Sequence, residues 1–263
     1  MTAGPPEELD PLWARLRAAT PARIGLPRAG SSLATSALLA FQLAHARARD
    51  AVTEPLDAES LVEELRGRGL ESLTAHSAAP DRPTYLARPD LGRRLDERSR
   101  VRLDALPRGC DLAFVVADGL SARAAARHAP PLLDRILPEL RRRAWRIGPV
   151  AVVEQGRVAI GDAIGAILGA ALVVVLIGER PGLTSPDSLG AYITFAPAVG
   201  RTDAERNCLS NIRPEGLPYG EAADRLLHLC GEARRRGLTG VMLKDDTRSP
   251  AAGLAAPLTG RIA

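Results

Sequence analysis

Two polar segments in the C-terminal half hold the residues best placed to do chemistry. They are Gly178-Glu179-Arg180-Pro181-Gly182-Leu183-Thr184-Ser185-Pro186-Asp187-Ser188-Leu189-Gly190 and Arg206-Asn207-Cys208-Leu209-Ser210-Asn211-Ile212-Arg213-Pro214-Glu215-Gly216. Both read as loops offering carboxylate, guanidinium, thiol and hydroxyl groups to a polar ligand. The first follows the apolar run Ala171 to Ile177 without a break, so Glu179 and Arg180 emerge at the carboxyl end of a buried strand. Ligands bind at that end of open α/β sheets. Turn chemistry at Pro-Gly and Ser-Pro, with a surface ion pair between Glu179 and Arg180, accounts for the same residues structurally.

A complete catalytic set is missing, so no residue is assigned a catalytic role. His45, His76, His128 and His228 stand singly, without H-E-x-x-H or a short-spaced metal pair, and no metal site is expected. G-x-S-x-G is absent, as are G-x-G-x-x-G and G-x-x-x-x-G-K-[ST]; the lone lysine, Lys244, follows Leu243 rather than a glycine. Cys110, Cys208 and Cys230 are odd in number and far apart, which suits a reducing compartment better than a disulfide framework.

The elements that must position these groups divide into two regions. Residues 1–106 read as a helical N-terminal region, with an apolar helix through Leu33, Leu38, Phe41 and Ala44 capped by Ser31-Ser32. Residues 107–263 read as an α/β, Rossmann-like layered sheet domain. Its predicted strands are Leu112 to Ala117, Pro149 to Val153, Ala171 to Ile177, Ala191 to Phe195 and Gly240 to Leu243, with helices near 121–145, 159–169 and 221–236. Gly161, Gly165 and Gly169 recur on one helix face and predict close packing.

The blocks TPARIGLPRAG, LLAFQLAHARARDAV, YLARPDLGRRL, VADGLSARA, QGRVAIGDAIG, GERPGL, SPDSLG, RNCLSNIRPEGL and GVMLKDDTRSP run in order from Thr20 to Pro250. Together they resemble the small (light) subunit of ethanolamine ammonia-lyase. The resemblance implies a hetero-oligomer of large-small pairs, in which a barrel-shaped large subunit holds ethanolamine and the acid-base residues. This chain would close the adenosylcobalamin site from the other side, and the radical reaction would yield acetaldehyde and ammonia. Motif by motif, the resemblance carries cofactor contact to Val158 in Gly156-Arg157-Val158, Glu179 in Gly178-Glu179-Arg180, and Cys208 in Asn207-Cys208-Leu209. Core packing at Val158 and an inert buried thiol at Cys208 are the structural alternatives. No D-x-H-x-x-G stands in the chain to replace the cofactor's own lower base, which is therefore expected to stay on cobalt.

Composition sets independent limits. With 263 residues, 46% hydrophobic and 25% charged, the chain can bury a substantial core. Its +4 charge is spread from Arg15 to Arg261 with 3% aromatics, which argues against nucleic acid as a partner. The run Ala163 to Ile177 is 15 residues with two internal glycines, shorter than the ~20 a membrane helix needs. Met1 to Asp10 is polar and lacks secretory-signal character. The expected location is the cytoplasm, with a bacterial microcompartment left open. Two further readings share the pattern: a stand-alone nucleotide-dependent oxidoreductase, and a structural or regulatory subunit without cofactor contact.

Overall fold

The computed structural model describes residues 11–26 and 28–246. Pro27 and residues 247–250, which carried part of the expectations above, lie outside the described residues, as does Met1 to Asp10. The chain begins with α1 (Pro11–Ala18), a short antiparallel pair β1 (Arg28–Ala29) and β2 (Ser32–Leu33), and α2 (Thr35–Thr53). The cap expected at Ser31-Ser32 is not formed. Ser32 pairs with Ala29, and Ala34, which has no side-chain acceptor, stands at the helix start.

Next come α3 (Ala58–Gly67), β3 (Ser72–His76), α4 (Arg82–Ala87) and α5 (Glu97–Asp104). Asp57, Asp81 and Asp96 start the three helices, each carboxylate accepting from the backbone N–H three residues on. The C-terminal half contributes β4 (Leu112–Ala117), α6 (Ala122–Arg142), β5 (Val150–Glu154), α7 (Ile160–Ile167), β6 (Leu172–Gly178), β7 (Leu189–Phe195), β8 (Asn207–Ile212) and α8 (Tyr219–Arg236).

The main sheet has the order β3-β5-β4-β6-β7-β8, parallel from β3 to β6 and antiparallel beyond. β4 and β6 are buried at every position, because helices cover both faces and leave no side for polar residues. Phe114, Val116, Val174 and Leu176 face α3, α6 and α8. Val115, Ala117, Val173 and Val175 face Leu103 of α5 and Ile160 and Ile164 of α7. The fold is thus mixed α/β with a mostly parallel six-stranded sheet.

Three expectations are corrected. The N-terminal region is not wholly helical, since β3 pairs in parallel with β5 as an edge strand of the sheet. The segment from Arg206, read as a loop, contains strand β8. Gly240 to Leu243 is a turn, not a strand: Gly240 has φ +89°, and Val241 and Met242 are exposed. The glycine stripe packs as expected. A Cβ at Gly161 would stand 2.3 Å from Val175 Cγ2, and one at Gly165 would meet Pro197. Gly169 lies just past the helix at φ +59°, where a left-handed residue closes its end. Among the described residues, no helix is long and apolar enough to cross a membrane.

Candidate functional site

The carboxyl ends of β4 and β5 are tied together by one buried carboxylate. Asp118, just past β4 and 2% exposed, accepts from Gly156 N–H at Oδ1 and from Gln155 N–H at Oδ2, each at 2.9 Å. Arg82 of α4 donates to the same Oδ2 at 3.2 Å, and its Nη1 also reaches Gly119 O and Gln155 Oε1. Burial pushes the Asp118 carboxyl up to about 6, against the opposing pull of Arg82 and the two amides. The clamp holds Gln155 at φ +56° and so fixes the exit of β5. Below it, the buried Tyr85 donates to Gly156 O at 3.1 Å, with Arg157 over its ring at 4.2 Å and Arg82 at 4.7 Å.

The end of β6 approaches this clamp backbone to backbone. A Cβ on Gly178 would stand 2.0 Å from Ser121 O, and one on Gly119 would stand 2.2 Å from Gly178 O. Only hydrogen fits at either position. Glu179 follows and is already engaged. It accepts from the Ser188 hydroxyl at 2.6 Å, from Asn211 N–H at 3.1 Å and from the Ser210 hydroxyl, stitching β6 to the start of β7 and the end of β8. A carboxylate offers about four acceptor positions, so one remains for a ligand.

The three residues singled out from sequence come together around Tyr192 of β7. Val158 is half-buried and borders two hollows, one of about 240 Å³ shared with Glu179, Gly178 and Ile177, the other of about 970 Å³. Tyr192 borders both hollows and pairs across the sheet with Cys208. Cys208 sits on strand β8 rather than on a loop, touches the site through Tyr192, and lines neither hollow. Its thiol lies beside the Tyr192 hydroxyl. Although the residue as a whole is exposed, burial of the thiol itself raises its pKa, so it stays protonated and is a poor nucleophile.

Groups that resemble acid-base machinery are consumed by structure. His128 donates from Nε2 to Asp187 O at 2.8 Å, so its Nδ1 accepts from the Tyr219 hydroxyl at 2.7 Å, and burial lowers its pKa. With Arg127, which binds the Asp187 carboxylate at 2.7 Å, it anchors the segment before β7 to α6. Among the described residues, no group of three or more His, Cys, Asp or Glu could hold a metal ion.

Sequence reasoning missed Asp118, Arg157 and Tyr192 as individuals. The first two lie inside the VADGLSARA and QGRVAIGDAIG blocks; Tyr192 sits in an apolar strand, where nothing distinguishes it from core.

The ionisable groups at this end of the sheet are thus largely engaged by the chain's own groups. Residues 10–244 match the ethanolamine ammonia-lyase light chain (EutC) family. The chain is 60% identical over 238 residues to the ethanolamine ammonia-lyase small subunit of Azotobacter vinelandii, covering 89% of this chain and 88% of the relative. It is 59% identical to that of Pseudomonas putida, with the same coverage, and 56% identical over 251 residues to that of Pseudomonas fluorescens, covering 93% and 91%. A match across nearly the whole described chain places this protein in the ethanolamine ammonia-lyase light-chain family, as a subunit of a lyase.

Proposed function

We propose that this chain closes the adenosylcobalamin site of an ethanolamine ammonia-lyase beside the large subunit, with Val158, Glu179 and Cys208 toward the cofactor. The observation that carries this is the convergence of those residues, from the ends of β5 and β6 and from β8, on one side chain, Tyr192. The residues fit the group. Val158 and Ile177 supply apolar surface for a macrocycle, and Glu179 keeps one acceptor position for an amide N–H of its rim. Arg157 Nε is buried beside both hollows without a hydrogen-bond partner, a donor left for an amide oxygen or an anion.

When bound, adenosylcobalamin supplies the radical chemistry by which ethanolamine becomes acetaldehyde and ammonia. This chain orients the cofactor, keeps water from one side of it, and moves no proton, since Asp118 and His128 are both committed to their own chain. Proton transfer then belongs to the large subunit. Association with that subunit is supported by the apolar residues left uncovered on α2, where Leu38, Leu39, Phe41 and Leu43 are exposed.

Equilibrium binding of adenosylcobalamin to the reconstituted large-small complex tests the reading. Glu179→Gln keeps the size but turns one acceptor into a donor, and about a five- to hundred-fold loss of affinity is expected. Unchanged affinity in both Glu179→Gln and Cys208→Trp, with assembly intact, would remove the site.

A further inference from the structure

The larger hollow has an electrostatic character that the contacts of Val158, Glu179 and Cys208 leave unused. Its lining includes six arginines and three aspartates. Four of the arginines are matched by carboxylates: Arg206 by Asp162 at 2.6 Å and by Asp203 at 3.5 Å, Arg94 by Asp90, Arg100 by Glu97 and Arg201 by Glu205. Arg93 and Arg157 face no carboxylate within ion-pair distance among the described residues, so the hollow keeps uncompensated positive charge. A second, independent observation points the same way. The Nε atom of Arg157 is buried without a hydrogen-bond partner, and the residue lines this hollow, whereas Arg206 Nε lies 3.5 Å from Asp203 Oδ1. A guanidinium donor without a partner favours a ligand carrying anionic oxygen.

The volume of about 970 Å³ is far more than a bare inorganic anion fills and suits a substituted phosphate. Arg157, Val158 and Tyr192 border both hollows, so one extended ligand can occupy the two. We infer that the arginine-lined hollow takes the phosphodiester arm of the corrinoid, with Arg157 and Arg93 as its charge partners, while the smaller hollow faces the ring. This inference rests on the cobalamin reading above and extends it from the ring to the anionic arm.

The test compares two probes on the reconstituted large-small complex: adenosylcobalamin, and adenosylcobinamide, which lacks the phosphate, ribose and base. Circular dichroism and subunit association are checked first. Arg157→Gln and, separately, the exposed Arg93→Gln are expected to weaken adenosylcobalamin about ten- to a hundred-fold and about three- to tenfold. Adenosylcobinamide affinity should change less than about twofold in both. Arg157→Lys, which keeps the charge, should restore most of the preference for adenosylcobalamin. Equal losses for the two probes, no loss for either, or Arg157→Lys no better than Arg157→Gln would each overturn the phosphate assignment. Glu179→Gln separates this from the underlying reading: it should weaken both probes, and if neither responds the cobalamin reading itself falls.

Discussion

Replacing Asp118 by alanine should damage fold and site together. The substitution leaves Gln155 N–H, Gly156 N–H and Arg82 Nη1 without their shared acceptor at a position where the side chain is 3% exposed. Each buried donor left unpaired costs about 1–3 kcal/mol, and removing one partner of a buried ion pair costs about 3–5 kcal/mol. These costs overlap, because one carboxylate serves all three donors. Arg82 also keeps Val52 O, Gly119 O and Gln155 Oε1. The lower end, about 3 kcal/mol, is therefore expected, or roughly 6–12 °C in melting temperature for a chain of this length. Asp118→Asn keeps one acceptor oxygen but sets an NH₂ against the remaining donors, and should fall between parent and alanine. Freed from its clamp, the turn carrying Arg157 and Val158 should also bind adenosylcobalamin more weakly. Thermal and urea unfolding followed by circular dichroism measure the first effect. An alanine variant melting within about 2 °C of the parent would show that the clamp does not hold the strand ends.

Gly178→Ala should cost about 3 kcal/mol or more, since its Cβ would meet two backbone oxygens at 2.0 and 2.6 Å, whereas Gly182→Ala, with nothing nearer than 3.7 Å, should stay within about 0.5 kcal/mol; equal urea midpoints for the two would contradict the close approach. Cys208→Ala should alter adenosylcobalamin binding by less than about fivefold, and Cys208→Trp by considerably more, because the ring would displace Tyr192 from between the hollows. Burial lifts the native Asp118 carboxyl to about 6, above the roughly 3.9 of an unfolded aspartate. Between about pH 4 and 6 the native state then binds more protons, and the stability this group contributes falls as pH rises through that window. Asp118→Asn cannot titrate, so its melting-temperature deficit should narrow from acidic to neutral pH; a constant deficit would mean Asp118 does not titrate in the fold.

What the sequence disclosed follows from which physical constraint acts on each segment. Strands β4, β5 and β6 were legible because a sheet covered on both faces demands unbroken apolar runs, and VVVLI or LAFVV fits little else of that length. The edge strands were not. Ser72-Leu73-Thr74-Ala75-His76 and Asn207-Cys208-Leu209-Ser210-Asn211-Ile212 have neighbours on one side only and carry polar residues, so the first was absorbed into a helical region and the second read as loop. Gly240 to Leu243 misled in the opposite sense: Val241 and Met242 are apolar but exposed on a turn held by Asn207, which donates to Leu243 O and accepts from Gly240 N–H. Within the site, Val158 and Glu179 could be found because they leave the ends of legible strands. Tyr192 could not, because its role depends on a cross-strand neighbour that itself went unrecognised.

The ionisable groups of the site are largely spent on the chain's own structure. A general base needs a lone pair free to meet substrate, and a nucleophile needs a base beside it. Asp118 spends its oxygens on two amides and Arg82, Asp162 on Arg206, and His128 both nitrogens on Asp187 O and Tyr219. Glu179 is three-quarters committed to Ser188, Ser210 and Asn211, and Cys208 is held as a thiol. The buried acids and histidine of the site thus serve to fix backbone at the carboxyl edge of the sheet. The unspent capacity is of another kind: the Nε donor of Arg157, one acceptor position on Glu179, and the apolar faces of Val158 and Ile177. In the function proposed above, such a surface, able to donate without titrating, would orient a large ligand whose reactive centre is served from the opposite side.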